Sequence, residues 1–451
     1  MVSTGRFVCE DKGDFSSAAW GFLPRIARIP IFEENAKNAQ KKIELCVSVG
    51  EAVEEGSVLA RSPFCVVRSS VPGVVESIVR GRYGNGKPGE IVCVKTGGHF
   101  SFTGKLDEEK TWERLSNEEI AERIREAGVV NTFSSCETLF PQIFGEQKKE
   151  GGVLFVRFFD DDPSRCVESF ISEHFTGRLF SGIKMISRLI SPSAIVLAYD
   201  KSSAISRRIF KESERGAWDE GNVLPVGIDA RKYPCGTQND VIRAAKNAYP
   251  ALLKNLLKSR ANLFVDAPCA LSVYEAVALS IPVLSRFVHV NGGALRSSAI
   301  LRVKIGTTLL ELSEQFGGFK KNVSKIVVNG SILGTSVSSL DVPVSKLFKS
   351  VSFFSENEQE AKVAKISACI RCGECRNVCP VGLWPGNIYR VYKNAQSDAF
   401  RLSKESQKIL LDAKKCIGCS LCNMSCPARL SLSEMISIAR FVGGENNEQE
   451  L

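Results

Sequence analysis

Histidine is almost missing from this 451-residue chain: His99, His174 and His289 are its only three, and they lie far from one another. No role is assigned to them. No run approaches the ~18 apolar residues that a membrane-crossing helix needs. The N-terminal stretch from Met1 to Glu10 has no apolar core like that of a signal peptide. A cytoplasmic chain is therefore expected, with any membrane attachment made through partners. Its basic residues are not joined to aromatic stacking positions or to a known reading motif, which argues against nucleic acid as a partner. No acid, base or nucleophile constellation stands out, so little bond chemistry is expected of it.

Cysteine is what the chain does have: 16 residues, eight of them in two runs. The first is Cys369-Ile-Arg-Cys372-Gly-Glu-Cys375-Arg-Asn-Val-Cys379-Pro380, and the second is Cys416-Ile-Gly-Cys419-Ser-Leu-Cys422-Asn-Met-Ser-Cys426-Pro427. Each reads C-x2-C-x2-C-x3-C-P, the spacing of a bacterial two-cluster ferredoxin, in which the fourth Cys ligates the other cluster. Two [4Fe–4S] clusters are expected, one on Cys369, Cys372, Cys375 and Cys426, the other on Cys416, Cys419, Cys422 and Cys379. Gly373 and Gly418 suit the tight turns of such loops. A pair of zinc sites would instead use separated pairs of ligands, and a disulfide framework is the third option. The remaining eight cysteines (Cys9, Cys46, Cys65, Cys93, Cys136, Cys166, Cys235, Cys269) read as small buried hydrophobes in a reducing compartment. From Lys362 to Arg440 there are 13 Lys and Arg against 5 Asp and Glu. This excess either compensates anionic clusters or forms a docking face for an acidic redox carrier such as a flavodoxin or ferredoxin.

The chain is too long for one ordinary core. Residues 30–99 read as short strands and turns, with hairpins at Pro72-Gly73 and Tyr83-Gly84-Asn85-Gly86. The pattern resembles the barrel-sandwich fold of biotinyl and lipoyl carriers, yet Arg61–Arg68 lacks the Lys that such carriers modify. Residues 116–284 alternate strands with helices, an α/β domain with a mostly parallel sheet. Its expected elements are a helix capped by Ser116 and Glu119, one long helix near 165–190, and helices at 239–258 and 270–279. Its strands are expected at Val153–Arg157, Ala194–Tyr199, Asn222–Val226 and Asn262–Val265. Residues 285–355 suggest a β-grasp. A polar linker at 355–360 leads to a cluster domain at 362–440, with a helical insertion at 387–412 and a disordered tail from Gly443. The expected fold class is multidomain α/β plus β, ending in a helical two-cluster ferredoxin-like domain.

This order, with Gly292-Gly293-Ala294-Leu295, Leu301-Arg-Val-Lys-Ile-Gly306-Thr307, Gly317-Gly318, Ser339-Leu-Asp-Val-Pro-Val344 and Cys369-Ile-Arg-Cys-Gly, resembles the RnfC family over about residues 30–440. Members of that family are subunits of the Rnf-type ion-translocating electron transport complex. The α/β and β-grasp (SLBB-like) parts also resemble the flavin-bearing NADH-oxidising subunit of respiratory complex I. The resemblance implies a peripheral subunit on the cytoplasmic face of the inner membrane, working with membrane-embedded partner subunits that move Na⁺ or H⁺. It also implies FMN, reduced by NADH, which feeds single electrons to the clusters.

The flavin residues that the resemblance places on this chain are Gly128, Asp160 and Asp162. The family's Gly-rich loop falls on Gly128–Thr138, where Asn131, Phe133, Ser134 and Cys136 replace glycines that would bring backbone N–H groups to a phosphate. Glu137 adds a repelling charge. The E-C-E-P motif has become Asp160-Asp161-Asp162-Pro163, and Y-P-x-G-G-E has become Tyr233-Pro234-Cys235-Gly236-Thr237-Gln238. Together these changes predict a lost or much weakened flavin site. A cobalamin-reductase-like protein and a scaffold subunit with purely structural clusters are the alternatives. One subunit of the Na⁺-translocating NADH:quinone reductase shares the first three domains but not the cluster cysteines.

Overall fold

The computed structural model describes residues 7–8, 18–31, 43–97, 111–133, 137–144, 151–213, 223–256, 262–356, 358, 366–397 and 403–442. By contacts the chain forms two compact units. One holds residues 11–230 and 235–361; the other holds residues 1–10, 231–234 and 362–451.

In the larger unit, the strands Ile26–Pro30, Pro88–Thr96, Gly73–Arg82 and Ala52–Val53 make one antiparallel sheet. Glu44–Leu45, Val58–Arg61 and Val66–Arg68 make another. The hairpin between Gly73–Arg82 and Pro88–Thr96 turns through Tyr83–Gly86, as the Gly-Asn-Gly signal requires.

A four-stranded parallel sheet follows, in the order Val223–Ile228, Ala194–Asp200, Val153–Arg157, Leu263–Asp266. Val153–Arg157 is buried along its whole length, as expected of a strand covered on both faces. The helix Asn117–Ala127 carries the anticipated capping box between Ser116 and Glu119. Three helix expectations are corrected. The single helix near 165–190 is two, Val167–His174 and Thr176–Ile190. They are broken at Phe175, whose backbone leaves the helical region as its ring packs on Phe170 and Phe287. The helix at 239–258 is also two, Gln238–Ala248 and Pro250–Leu256, because the residue before a proline is driven out of the helical region. The helix expected at 270–279 starts earlier, as Ala267–Ala278, with the Asp266 carboxylate accepting from Cys269 N–H at its cap.

A six-stranded mixed sheet completes this unit: Ala19–Trp20, Ala299–Lys304, Ser285–Asn291, Ser350–Ser355, Val323–Val328, Thr335–Val337. Its central pair, Ser285–Asn291 with Ser350–Ser355, is parallel. Of the polar linker, Glu358 is held by Gly293 N–H and by Ser355. The rest of it beyond Glu356 lies outside the described residues, as do Cys9, His99, Cys136 and the tail from Gly443.

The smaller unit is helical: Glu374–Asn377, Pro385–Ser397, Lys404–Asp412, Leu421–Met424 and Leu432–Val442. Ile388, Tyr392, Leu410, Ala413, Ile436 and Ala439 form its core. The expected helical insertion at 387–412 is therefore present as two helices. Lys232–Tyr233, read from sequence as part of the α/β span, belongs here and pairs with Phe7–Val8.

Candidate cluster and flavin sites

Both cysteine runs fold alike. Each is an extended loop leading into one short helical turn, Glu374–Asn377 in the first and Leu421–Met424 in the second. Left-handed backbone recurs at matching places: Arg371 and Gly373 in one loop, Gly418 and Ser420 in the other. The glycines singled out from sequence are thus half of a repeated geometry. Arg371 and Ser420 adopt the other two left-handed positions despite their side chains.

Cys379, Cys416, Cys419 and Cys422 line one small pocket, and Gly386 stands against both Cys375 and Cys369. Burial raises the Cys375 pKa, and the neighbouring Cys369, Cys372 and Cys426 raise it further. Burial pushes the Cys419 thiol up to about 11, with Cys416 and Cys379 adding to the effect. Cys422 is driven higher by burial, then by Cys416, Cys419, Cys379 and Cys375. Cys426 is thus near enough to act on Cys375, and Cys379 near enough to act on Cys419 and Cys422. Among the described residues no three His, Cys, Asp or Glu side chains converge as ligands of a single metal ion. A cubane makes a different demand, one thiolate for each of four irons, and an all-cysteine donor set suits that chemistry.

Backbone N–H groups point at the sulfurs. Leu383 N–H donates to Cys379 Sγ at 3.3 Å, Gly418 N–H to Cys416 Sγ at 3.4 Å, and Gly386 N–H to Cys375 Sγ at 3.3 Å. Gly386 opens the helix Pro385–Ser397, so the positive end of that helix faces Cys375. A Cβ at Gly386 would stand 3.3 Å from Cys375 Sγ and 3.9 Å from Cys369 Sγ. Sequence reading passed over Gly386; a glycine directly after Pro385, where a helix starts, was the available signal. That reading took Tyr233 only as part of an altered flavin motif, whereas the Tyr233 hydroxyl donates to Cys419 O at 2.6 Å.

The candidate flavin residues are engaged elsewhere. Gly128 is the left-handed C-cap of the Asn117 helix, and its carbonyl accepts from Lys346 Nζ. Asp160 accepts from Glu168 N–H and from Ser169 N–H and Oγ, capping the helix Val167–His174. Asp162 accepts from Ser164 through one oxygen and from Ile332 N–H and Leu333 N–H through the other.

The crevice at the carboxyl ends of Val153–Arg157 and Leu263–Asp266, where an open α/β sheet binds ligands, is filled by the chain itself. The Arg157 guanidinium forks onto Glu168 with two 2.9 Å bonds, and donates to Asp161 and to Gly236 O. It lies 4.3 Å from the centre of the buried Phe133 ring. Lys349 Nζ donates to Glu168 at 2.6 Å, to Asp266 at 2.7 Å and to Thr132 O at 2.9 Å. Burial alone would raise the Asp266 carboxyl; Lys349 and Arg157 outweigh it and hold the pKa at about 2. Asn131 is tied to Gln142 and Phe264 O. A flavin mononucleotide entering here would have to displace Phe133 and two paired cations. Ser134 and Cys136 lie outside the described residues. Of the cysteines without a ligand reading, Cys93, Cys166, Cys235 and Cys269 are buried as expected, Cys46 is exposed and Cys65 is half-buried.

A family model described as a 4Fe-4S dicluster domain matches residues 365–430. The chain is similar to the RnfC-type subunit of the proton-translocating ferredoxin:NAD(+) oxidoreductase complex of Clostridium ljungdahlii, at 25% identity over 81% of this chain and 78% of the relative. The corresponding subunit of the ion-translocating oxidoreductase complex of Rhodobacter capsulatus matches at 22% over 80% of this chain and 69% of the relative. That of Yersinia enterocolitica matches at 24% over 77% of this chain, which spans 49% of the relative's length. A chain of an NAD+-reducing [NiFe]-hydrogenase in the air-oxidized state overlays with a TM-score of 0.47 at 12% identity, covering 76% of this chain and 64% of that one. That overlay is too loose to carry an argument. The chain thus has a segment matched as a 4Fe-4S dicluster domain and is similar, over about four fifths of its length, to C subunits of ion-translocating oxidoreductase complexes. No helix among the described residues is long and apolar enough to cross a membrane.

Proposed function

We propose that this chain is the peripheral electron-relay subunit of an Rnf-type ion-translocating oxidoreductase. It would sit on the cytoplasmic face of the membrane, passing electrons between a soluble carrier protein and membrane-embedded subunits. One observation supports the reading: two C-x2-C-x2-C-x3-C-P runs lie within the span matched as a dicluster domain, where Cys379 lines a pocket with Cys416, Cys419 and Cys422, and Cys426 acts on the Cys375 thiol. Cys369, Cys372, Cys375 and Cys426 hold one [4Fe–4S] cluster, and Cys416, Cys419, Cys422 and Cys379 hold the second.

When bound, such clusters supply reversible one-electron transfer. The chain supplies the thiolates and, through Gly386, Leu383 and Gly418, hydrogen bonds that ease negative charge on the sulfurs. Because burial raises the Cys375, Cys419 and Cys422 thiols, loading must expel their protons. The relay takes single electrons and no hydride, in keeping with Phe133, Arg157 and Lys349 packed together at the end of the parallel sheet.

Anaerobic purification tests this. Two [4Fe–4S] clusters require about eight irons per chain. Broad brown absorbance, flavin well below stoichiometric, and bleaching by dithionite but not by NADH are expected. Stoichiometric FMN with rapid NADH bleaching would refute the flavin-free relay; zinc in place of iron would refute the cluster reading itself.

A further inference from the structure

The cluster unit has a pocket of about 240 Å³ lined by Arg376, Trp384, Asn387, Ile409, Asp412 and Lys415, among others. One wall is the segment Val381–Trp384, which follows Cys379-Pro380 directly. Leu383 in that wall donates its N–H to Cys379 Sγ. The pocket is therefore one peptide segment from a ligand of the second cluster. Trp384 is 50% exposed and Val381 40%, although nothing in the helical core requires a tryptophan at the surface. The Arg376 guanidinium lies 5.2 Å from the centre of the Trp384 ring. Arg376 and Lys415 are both exposed. Lys415 pairs with Asp412, but an ion pair this open to solvent is worth little and exchanges readily for another carboxylate.

An exposed aromatic anchor flanked by an arginine and a lysine has the anatomy of a protein-docking centre. The local charge selects an acidic partner: the exposed residues Arg371, Arg376, Arg390, Lys393, Lys408, Lys414, Lys415 and Arg429 outnumber the exposed acids Glu374, Glu405 and Glu434. We propose that this pocket is the docking site of an acidic one-electron carrier protein. Trp384 seats an apolar side chain of the carrier, while Arg376 and Lys415 pair with its carboxylates beside the Cys379 loop. This rests on the relay reading and adds to it the place and chemistry of the contact.

The test measures the affinity of an oxidised acidic ferredoxin for the cluster-loaded full-length protein by titration calorimetry, at low and high salt. Arg376→Glu, Lys415→Glu and Trp384→Ala are each expected to weaken binding about tenfold or more at low salt. Lys321→Glu, a charge reversal at an exposed site of the larger unit, should change it less than twofold. Iron content and dithionite bleaching of every variant show that the clusters are intact. Equal affinities in all variants, or equal loss in Lys321→Glu, would overturn the docking site while leaving the relay standing. Clusters that dithionite cannot reduce in the wild type would instead remove the relay reading, and the docking proposal with it.

Discussion

Lys349 illustrates what single side chains do in this protein. It reaches Glu168 and Asp266 inside a buried network that also holds Arg157. Replacing Lys349 by Met leaves two buried carboxylates short of a cation, and should lower stability by about 3–5 kcal/mol in urea unfolding. Asp266 carries a linked pH dependence. Its pKa falls on folding from 3.8 to about 2, so its contribution is full above about pH 4 and is lost as pH falls through about 2. That contribution is on the order of 2 kcal/mol. Unfolding midpoints between pH 4.5 and 2 should therefore drop more steeply in the wild type than in Asp266→Asn. At the sulfurs, Cys372→Ala and Cys419→Ala should each lose a cluster by iron count, while Cys46→Ala and Cys93→Ala should hold their iron.

At the scale of elements, the helix Pro385–Ser397 is the case to follow. Its first turn meets Cys375 because Gly386 has no side chain. Gly386→Ala should push the helix off the sulfur and cost one N–H···S hydrogen bond. A bond worth ~1 kcal/mol corresponds to ~40 mV for one electron, so the potential of the cluster on Cys375 should fall by about that much in a redox titration. Element positions were legible wherever the signal was local. The Ser116–Glu119 box marked a helix start, and the apolar run Val153–Val156 marked a buried strand. The break at Phe175 was not legible, since it depends on packing against Phe287, a residue 112 positions away in sequence.

For the whole molecule, the cluster unit draws on segments distant in sequence. Lys232–Tyr233 pairs with Phe7–Val8, and Tyr233 bonds to the Cys419 carbonyl. A fragment of residues 362–451 lacks both segments. It should lose iron to a chelator several-fold faster than the full chain, and equal rates would show that those segments add nothing to cluster retention. The spacing of Cys369 to Cys379 and of Cys416 to Cys426 pointed to the proposed cluster chemistry without help from the fold, because a short loop with three cysteines can bring its thiols to one face. The glycines lost from the Gly128–Thr138 loop likewise spoke against phosphate binding unaided, since each replacement adds a side chain where close approach was needed. Only the tertiary structure decided what fills that crevice. Arg157, Glu168, Asp266 and Lys349 are scattered over nearly two hundred residues, and nothing but chain closure brings them together to compensate one another's buried charge.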